Sequence, residues 1–595
     1  MRCPFFRKMV SGLLLTAVLL LAASAGQAAE LDLQAQYPEL KKKLLERYQE
    51  TIQKLAGAEK AYEQRIDSAF PTDPEFKREA LPEGYRPWWT PEVRGEMGEP
   101  ATAAPEDVEK LFVSALKYSS QIRAFSDLPL IRETTIQEAE GPYDFRLFAE
   151  GRYDNLNEPV GDILRTGGSD RYKQYSRSVA AGIRKKFKLG TEVELKQSLE
   201  GIDTNSIYFT PEDQAWARTR LVVRQPLLRG AGTKYNQSVI ELARVDYSIS
   251  ESELRRQVES HLLEISRAYW GLYLERAMLV QKKKLAYETE KIYHKMKQRQ
   301  GLDVQASLLA RARSQVVARQ LDAVEAEYAM RNAADRIRAL VNDPALVSSQ
   351  GIEIVTRQMP RHDLEDLPVD QALQTALENR PEVEQVIRQI QAAAIRLMRS
   401  DRETLPDLDF FIETYVIGLR GDYEYGTAYS RQFDTGGPSY SLGLRFEYPL
   451  GNNAAEARLL RKRLEVRQLL SQLDTTVQNV FLEVQVSFRD MLKNYKEMVR
   501  RYQVMESTAE EIRDLVERID NLLVQDEAFG NALYRLMDAL DRMSEAEATF
   551  ARSELTYNLS LYNLNRVMGV LVSVNNIRIT RDKEDDLPVI RLVRE

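Results

Sequence analysis

From Asn452 to Leu523 the chain carries neither glycine nor proline, and its apolar residues recur at alternating steps of four and three. The seam runs Val466, Leu470, Leu473, Val477, Val480, Val484, Phe488, Met491, Tyr495, Met498, Tyr502, Met505, Ala509, Ile512, Val516, Ile519 and Leu523. One extra step of four between Val480 and Phe488 breaks an otherwise heptad rhythm. Such a segment is one continuous coiled-coil-like helix. At about 1.5 Å per residue, roughly 70 residues extend on the order of 100 Å, several times an ordinary globular helix.

A second segment of similar length runs from about Lys234 to Gln300, with Gly271 its only interruption and a less regular seam through Val258, Leu262, Ile265, Tyr269 and Leu272. Each long helix meets a short break, Gly301 to Val304 or Gln525 to Asn531, and then a shorter helix, about Gln305 to Val341 or Ala532 to Met568. The chain therefore reads as two long-down, short-up hairpins, an internal repeat of architecture. Each short leg covers half of its partner, and Pro368 to Ser400 supplies cover for the unpaired half of the first long helix. Pro344, Pro360 and Pro368 punctuate the stretch between the short legs, where Ile352-Glu353-Ile354-Val355 reads as a strand in a belt. By the repeat, Val572 to Thr580 is expected to join that belt.

Strand signals sit where the long helices begin. In 438–450, Tyr440, Leu442, Leu444, Phe446 and Tyr448 alternate with Ser441, Gly443, Arg445 and Glu447. Asp407 to Leu419, Tyr143 to Tyr153 and Ala215 to Gln225 alternate in the same way. Strands of about ten residues, apolar on one face, polar on the other and rich in Tyr and Phe, suit a lipid-facing barrel around water. A soluble antiparallel sheet with one wet face fits the alternation alone equally well; export and the attached rods favour the barrel. About four strands are too few to close one, since about eight is the practical minimum, so several subunits are required.

Export is read from the N-terminus. Arg2, Arg7 and Lys8 precede an apolar run from Met9 to Ala23 and a small-residue stretch ending Gly26-Gln27-Ala28, the pattern of a signal peptide cleaved after Ala28. Losing those three cations and no acid takes the net charge from −7 to −10, a poor balance for binding nucleic acid. The one cysteine, Cys3, lies in the leader, so no disulfide or thiol redox chemistry is expected in the exported chain. No later run of 18 apolar residues occurs, so any membrane span is made of strands.

Catalytic chemistry has no nucleus in this sequence. His261, His294 and His362 are scattered without metal-ligand spacing, and Gly230-Ala231-Gly232-Thr233-Lys234 resembles a phosphate loop only faintly, lacking its spacing. No enzyme, cofactor or metal is expected. Lys282-Lys283-Lys284 and Lys41-Lys42-Lys43 read as wet helix faces.

In this order of parts the chain resembles the TolC-like outer-membrane efflux protein family. The resemblance rests on Gln225-Pro226-Leu227-Leu228-Arg229-Gly230-Ala231-Gly232 and its second-repeat counterpart Phe446-Glu447-Tyr448-Pro449-Leu450-Gly451. Ala268-Tyr269-Trp270, Arg380-Pro381-Glu382-Val383 and Leu536-Met537-Asp538-Ala539 add to it, and it spans about residues 104–580. It implies a mainly α chain with a membrane β-barrel: a long antiparallel coiled-coil helical barrel plus about four transmembrane strands per subunit, closed as a homotrimer with twelve strands. It also implies cargo delivered by an inner-membrane pump through a periplasmic adaptor, and a passive duct closed at the helix tips. A periplasmic coiled-coil or adaptor protein without a membrane barrel is the alternative.

The expected organisation is a signal peptide over 1–28, an N-terminal extension over 29–103 and a first repeat over 104–341. An equatorial belt over 342–367, a second repeat over 368–570 and a C-terminal tail over 571–595 complete it. Three features depart from the family: the added extension, with a helix from Tyr37 to Phe70 and a linker around Trp88 and Trp89; an additional hairpin, Ser178 to Leu199, which takes the strand count above four per subunit if it joins the barrel; and a second-tip glycine pair reduced to Gly530. The candidate constriction is Asp514, Glu517 and Asp520, three acids on roughly one helix face that symmetry would repeat as a carboxylate ring. The candidate adaptor-docking tips are Gln300 to Leu308 and Val524 to Asn531, with Gly301, Asp303, Gln525 and Gly530. No residue pattern selects a cargo.

Overall fold

The computed structural model describes residues 33–69, 80–97, 103–300, 304–347, 352–521, 528–584 and 587–594. The expected signal peptide lies outside them. In chain order the elements are α1 (Leu33–Ala69), β1 (Ala103–Glu106), α2 (Val108–Tyr118), α3 (Ser120–Glu140), β2 (Arg146–Pro159), β3 (Arg171–Lys186), β4 (Glu192–Thr204), β5 (Asp213–Pro226), α4 (Ser238–Gln298) and α5 (Ala306–Val341). There follow β6 (Glu353–Thr356), α6 (Val369–Asn379), α7 (Pro381–Arg402), β7 (Asp407–Gly421), α8 (Tyr425–Asp434), β8 (Ser439–Glu447), α9 (Asn453–Asn521), α10 (Ala528–Val567), β9 (Ile577–Glu584) and β10 (Leu587–Arg594). The described residues fall into two compact units, one of 33–36, 132–248 and 388–471, the other within 37–131, 249–387 and 472–594. α1, α3, α4, α7 and α9 each contribute residues to both.

The first unit is built on one antiparallel sheet in the order β2-β3-β4-β5-β7-β8. Six strands replace the four expected from the repeat, because the hairpin at Ser178 to Leu199 is part of the same sheet as β3 and β4. β2 and β8 are its free edges, and almost every residue of both is exposed. The two strand-to-helix junctions that carried the family resemblance use glycine for a backbone reason: Gly230, Gly232 and Gly451 have φ of +81°, +92° and +99°. Asn236 fixes the first junction by donating to the carbonyls of Gly230 and Gly232 at 2.8 and 2.9 Å.

The second unit is helical. α9 spans 69 residues and α4 spans 61, the latter running through Gly271 without a break. In this unit Val477, Val480, Val484, Met491 and Met498 of the α9 seam are buried. α5 ends at Asn342, whose left-handed φ of +55° and N–H bond to the Arg338 carbonyl (2.8 Å) cap the helix two residues before Pro344. The cover read over Pro368 to Ser400 is two helices, parted at Arg380 ahead of Pro381. The buried Arg380 guanidinium bonds Val567 O at 3.0 Å and Glu483 at 2.8 Å, tying this break to α10 and α9. β1 and β6 pair in parallel, β6 lying within the segment read as a belt, with Glu353 as one of the registered residues. β9, which includes Thr580, pairs instead with β10 as a separate hairpin, and β10 lies against α2.

From Tyr37 on, the described residues of the N-terminal extension pack within this unit. The Tyr48 hydroxyl donates to Asp474 at 2.5 Å, Tyr48 meets Phe481 edge-on, and Arg489 grips the buried Glu59 carboxylate with two bonds of 2.6 Å. Farther along, Trp89 is wholly buried, worth about 2–3 kcal/mol of apolar burial, and Trp88 donates to Glu547 at 2.6 Å under the Lys284 ammonium.

Candidate functional site

Antiparallel register places direct cross-strand partners on one face, so the ladder itself sorts the sheet. One row runs Leu147, Ile183, Leu195, Leu221, Thr414 and Tyr440 through all six strands. The next adds Val193, Val223, Ile412 and Leu442, followed by Phe410 and Leu444, then Leu408 and Phe446. On this face Leu147 is 81% exposed, Leu442 61% and Leu444 66%. A contiguous, solvent-open apolar face of this kind marks a surface meant for a non-aqueous partner.

The opposite face is charged. Its rows include Arg146, Arg184, Glu194 and Glu413, and beside them Lys196, Arg220 and Tyr415. Four lateral ion pairs lace it together: Arg184–Glu194 at 2.6 Å, Lys196–Glu150 at 2.7 Å, Arg220–Glu413 at 2.7 Å and Arg224–Asp409 at 2.6 Å. Only the dry face of such a sheet fits hydrocarbon; the paired face requires water.

At the far ends of the long helices the second unit has a small core of its own. Ile292 and Met296 of α4, Val304, Ala312 of α5, Ile519 of α9, and Leu533 and Met537 of α10 pack together. Both hairpins thus share one apolar knot. Above it, Arg319 on α5 bonds Asp541 on α10 at 2.6 Å and its own-helix Asp322 at 3.0 Å, and Gln315 reaches Asp538 at 3.5 Å. Among the candidate acids, Asp514 is exposed and pairs with Arg518 at 2.8 Å, and Glu517 is exposed. The side chain of Asp520 lies outside the described residues, as do Gly301, Asp303 and Gln525. Gly530 sits buried in the first turn of α10.

Sequence reasoning missed the bridge from Arg319 to Asp541, since the two residues lie on different hairpins and only the fold aligns them. It also missed the buried acids. Glu554 is wholly buried against His362 at 2.6 Å, and burial drives its carboxyl pKa upward. The Glu259 carboxyl is pushed up to about 7 by burial, which the Arg255 guanidinium 3.5 Å away offsets only partly. His261 is buried between Ser119 and the Leu340 carbonyl, a packing role. Among the described residues no three His, Cys, Asp or Glu side chains converge on a metal position, and no helix is long and apolar enough to cross a membrane.

No family model matches the sequence, and no curated relative matches it. Solved structures do. The outer-membrane channel OprN is 13% identical, with a TM-score of 0.56 over 78% of this chain and 89% of its own. The CmeC outer-membrane channel of Campylobacter jejuni is 13% identical, with a TM-score of 0.55 over 83% of this chain and 94% of its own. The chain has the fold of the TolC-like outer-membrane channels. The open-state MtrE outer-membrane channel of Neisseria gonorrhoeae, 15% identical at a TM-score of 0.54, covers 78% of this chain and 88% of its own. At these identities the TolC-like likeness is one of backbone architecture, and the two-faced sheet is this chain's own contribution to a functional reading.

Proposed function

We propose that the chain is one subunit of an outer-membrane exit duct, a passive conduit in a tripartite efflux or type I secretion system. The carrying observation is the six-stranded sheet with an exposed apolar face, a charged face and two unpaired edges, within the TolC-like fold. The charged face lines water and the apolar face meets outer-membrane lipid. Because the strand number is even and every pairing antiparallel, β8 of one copy meets β2 of the next in antiparallel sense, so a ring closes without a mismatched edge. In a homotrimer, three copies of six strands make an eighteen-stranded barrel rather than one of twelve. Barrels of about 16–18 strands leave an open aqueous channel.

The helical unit, by this reading, continues the duct into the periplasm and is gated where α4, α5, α9 and α10 share their terminal core. Opening is a population shift in which an adaptor, engaging the tips at 300–308 and 524–531 and delivering cargo from an inner-membrane pump, binds the open arrangement more tightly. Asp514, Glu517 and Asp520 form the carboxylate ring of the constriction in this scheme. Replacing all three by Ala is expected to raise single-channel conductance or abolish block by divalent cations.

The test of the function itself is reconstitution of the full-length processed protein into planar bilayers. Detergent-dependent oligomers that conduct ions support the duct. A monomer that stays dispersed in buffer without detergent and conducts nothing supports the periplasmic coiled-coil reading instead.

A further inference from the structure

The connection between β7 and β8 folds back as α8, and α8 lies on the apolar face of the sheet. Gly418 shares that face with Ala217 and Leu199, its partners along the ladder. A Cβ added to Gly418 would strike the Ala428 carbonyl and come within 2.6 Å of the Gln432 nitrogen. Ala215, Ala217 and Ala428 are wholly buried in the resulting contact, and Gln432, also buried, accepts a hydrogen bond from Thr219 at 3.1 Å. A bed of small residues thus lets a helix lie flat where the rest of the face carries Leu, Ile and Phe.

The helix is amphipathic in a second direction. At about 100° per residue, Tyr429 and Phe433 fall on one flank and Thr427 and Arg431 on the opposite one, each roughly perpendicular to the side seated on the sheet. Tyr429 and Phe433 are 47% and 46% exposed and pack edge to face, with ring centroids 5.6 Å apart. A helix against a water-facing sheet has no reason to spend two exposed aromatic rings in this way.

Height fixes where those rings lie. Leu408, at the helix-proximal end of the apolar rows, and Gly418, beneath α8, are ten residues apart on one strand. At about 3.3 Å per residue and a strand tilt of about 40°, that separation rises about 25 Å, the height of the apolar band of a membrane barrel. Phe446, paired with Leu408, stands exposed at the lower limit of the band. The lower limit therefore has an aromatic ring on a strand, and the upper limit has aromatic rings on α8.

We propose that α8 is an interfacial helix, seated on the outward face at the upper rim of the barrel with Tyr429 and Phe433 entering the headgroup–acyl boundary of the outer leaflet. α8 runs back along β7, with Tyr425 over Gly201 and Gln432 bonded to Thr219 nearer the long helices, so Phe433 lies deeper, toward hydrocarbon, and Thr427 lies higher, among headgroups and water. It anchors the barrel against vertical displacement and occupies the one stretch of the apolar face whose own side chains are too small to meet lipid. This inference rests on the lipid-facing reading of the sheet.

Nitroxide labels test it in the full-length protein, with Cys3→Ser as background and vesicles of phosphatidylcholine and phosphatidylglycerol as the membrane. Single labels are placed at Phe433→Cys, Thr427→Cys and Leu442→Cys, and their collision with oxygen and with a neutral nickel chelate is measured. The expected result is an oxygen-to-chelate ratio highest at 442, several-fold lower but still favouring oxygen at 433, and favouring the chelate at 427. Labels at 433 and 427 equally open to the chelate, with 442 still shielded from it, would overturn the interfacial helix while leaving the barrel intact. Exclusion of both reagents at 433 would overturn it in favour of a contact with a second copy. A 442 label open to the chelate would overturn the barrel reading and the helix proposal together.

Discussion

Leu442→Arg separates a membrane sheet from a soluble one through a single side chain. Leu442 is 61% exposed in the chain and pairs directly with Ile412, four residues above Leu408 and six below Gly418, near the middle of the apolar band. If that face met water, an arginine there would hydrate freely and change stability by no more than about 0.5 kcal/mol, as at ordinary surface sites. In hydrocarbon the same guanidinium costs about 2–4 kcal/mol near the bilayer midplane. Since about 1.4 kcal/mol is a factor of ten, the folding constant falls between about 30-fold and several hundred-fold. The neighbour Ser441 points to the charged face opposite Glu413, so Ser441→Arg is the matched control and is expected to be neutral or mildly stabilising. The assay is urea unfolding of protein refolded into vesicles, comparing midpoints at unchanged slope. Equal, small shifts for both variants would refute the lipid contact.

Three further outcomes follow from the helical unit. Glu259 releases its proton near 4.5 when unfolded and near 7 in the fold, so its burial costs stability progressively as pH rises through that window, about 3 kcal/mol in all; Glu259→Gln should match the parent below pH 4.5 and exceed it above pH 7 in thermal melts, and a pH-independent difference would contradict this. Arg489→Ala strands the buried Glu59 carboxylate at a cost of about 1–3 kcal/mol, so limited proteolysis should cut within α1 sooner, and unchanged resistance would show that the pair does not hold the extension. Asp541→Asn weakens the Arg319 bridge between the two hairpins and is expected to raise the conductance of the closed channel; identical conductance would remove this bridge from the gate.

The sequence showed elements where periodicity is long and uniform. The seam from Leu473 to Met505 is buried as its spacing implied, and the alternation around Leu442 matches the ladder register. Periodicity tells which side of an element is apolar and is silent about what covers it. Leu470 and Val516 belong to the same seam yet stand 45% and 40% exposed. Contacts made across great sequence separation left no local trace: Arg489 and Glu59 are 430 positions apart, and neither is unusual in its own helix. α8 escaped notice because ten residues give too few turns for a 3.6-residue period to emerge, and its seat at Ala215, Ala217 and Gly418 reads as unremarkable small residues until β5 and β7 are paired. The fifth and sixth strands were visible as the hairpin Ser178 to Leu199, but alternation alone carried no information on whether that hairpin pairs into the same sheet. Of the tip residues, spacing identified Asp514 and Glu517 as neighbours on a helix but carried no information on which direction that face points.

A duct of this kind requires copies of the sheet to close edge to edge. Cysteine pairs linking β8 to β2, Leu442→Cys with Leu147→Cys, Ala149→Cys or Gly151→Cys in a Cys3→Ser background, can be oxidised in outer-membrane vesicles and resolved on denaturing gels. The result expected is a ladder of dimer and trimer that stops at three. Monomer alone across the whole scan, or a ladder running past three, would contradict it.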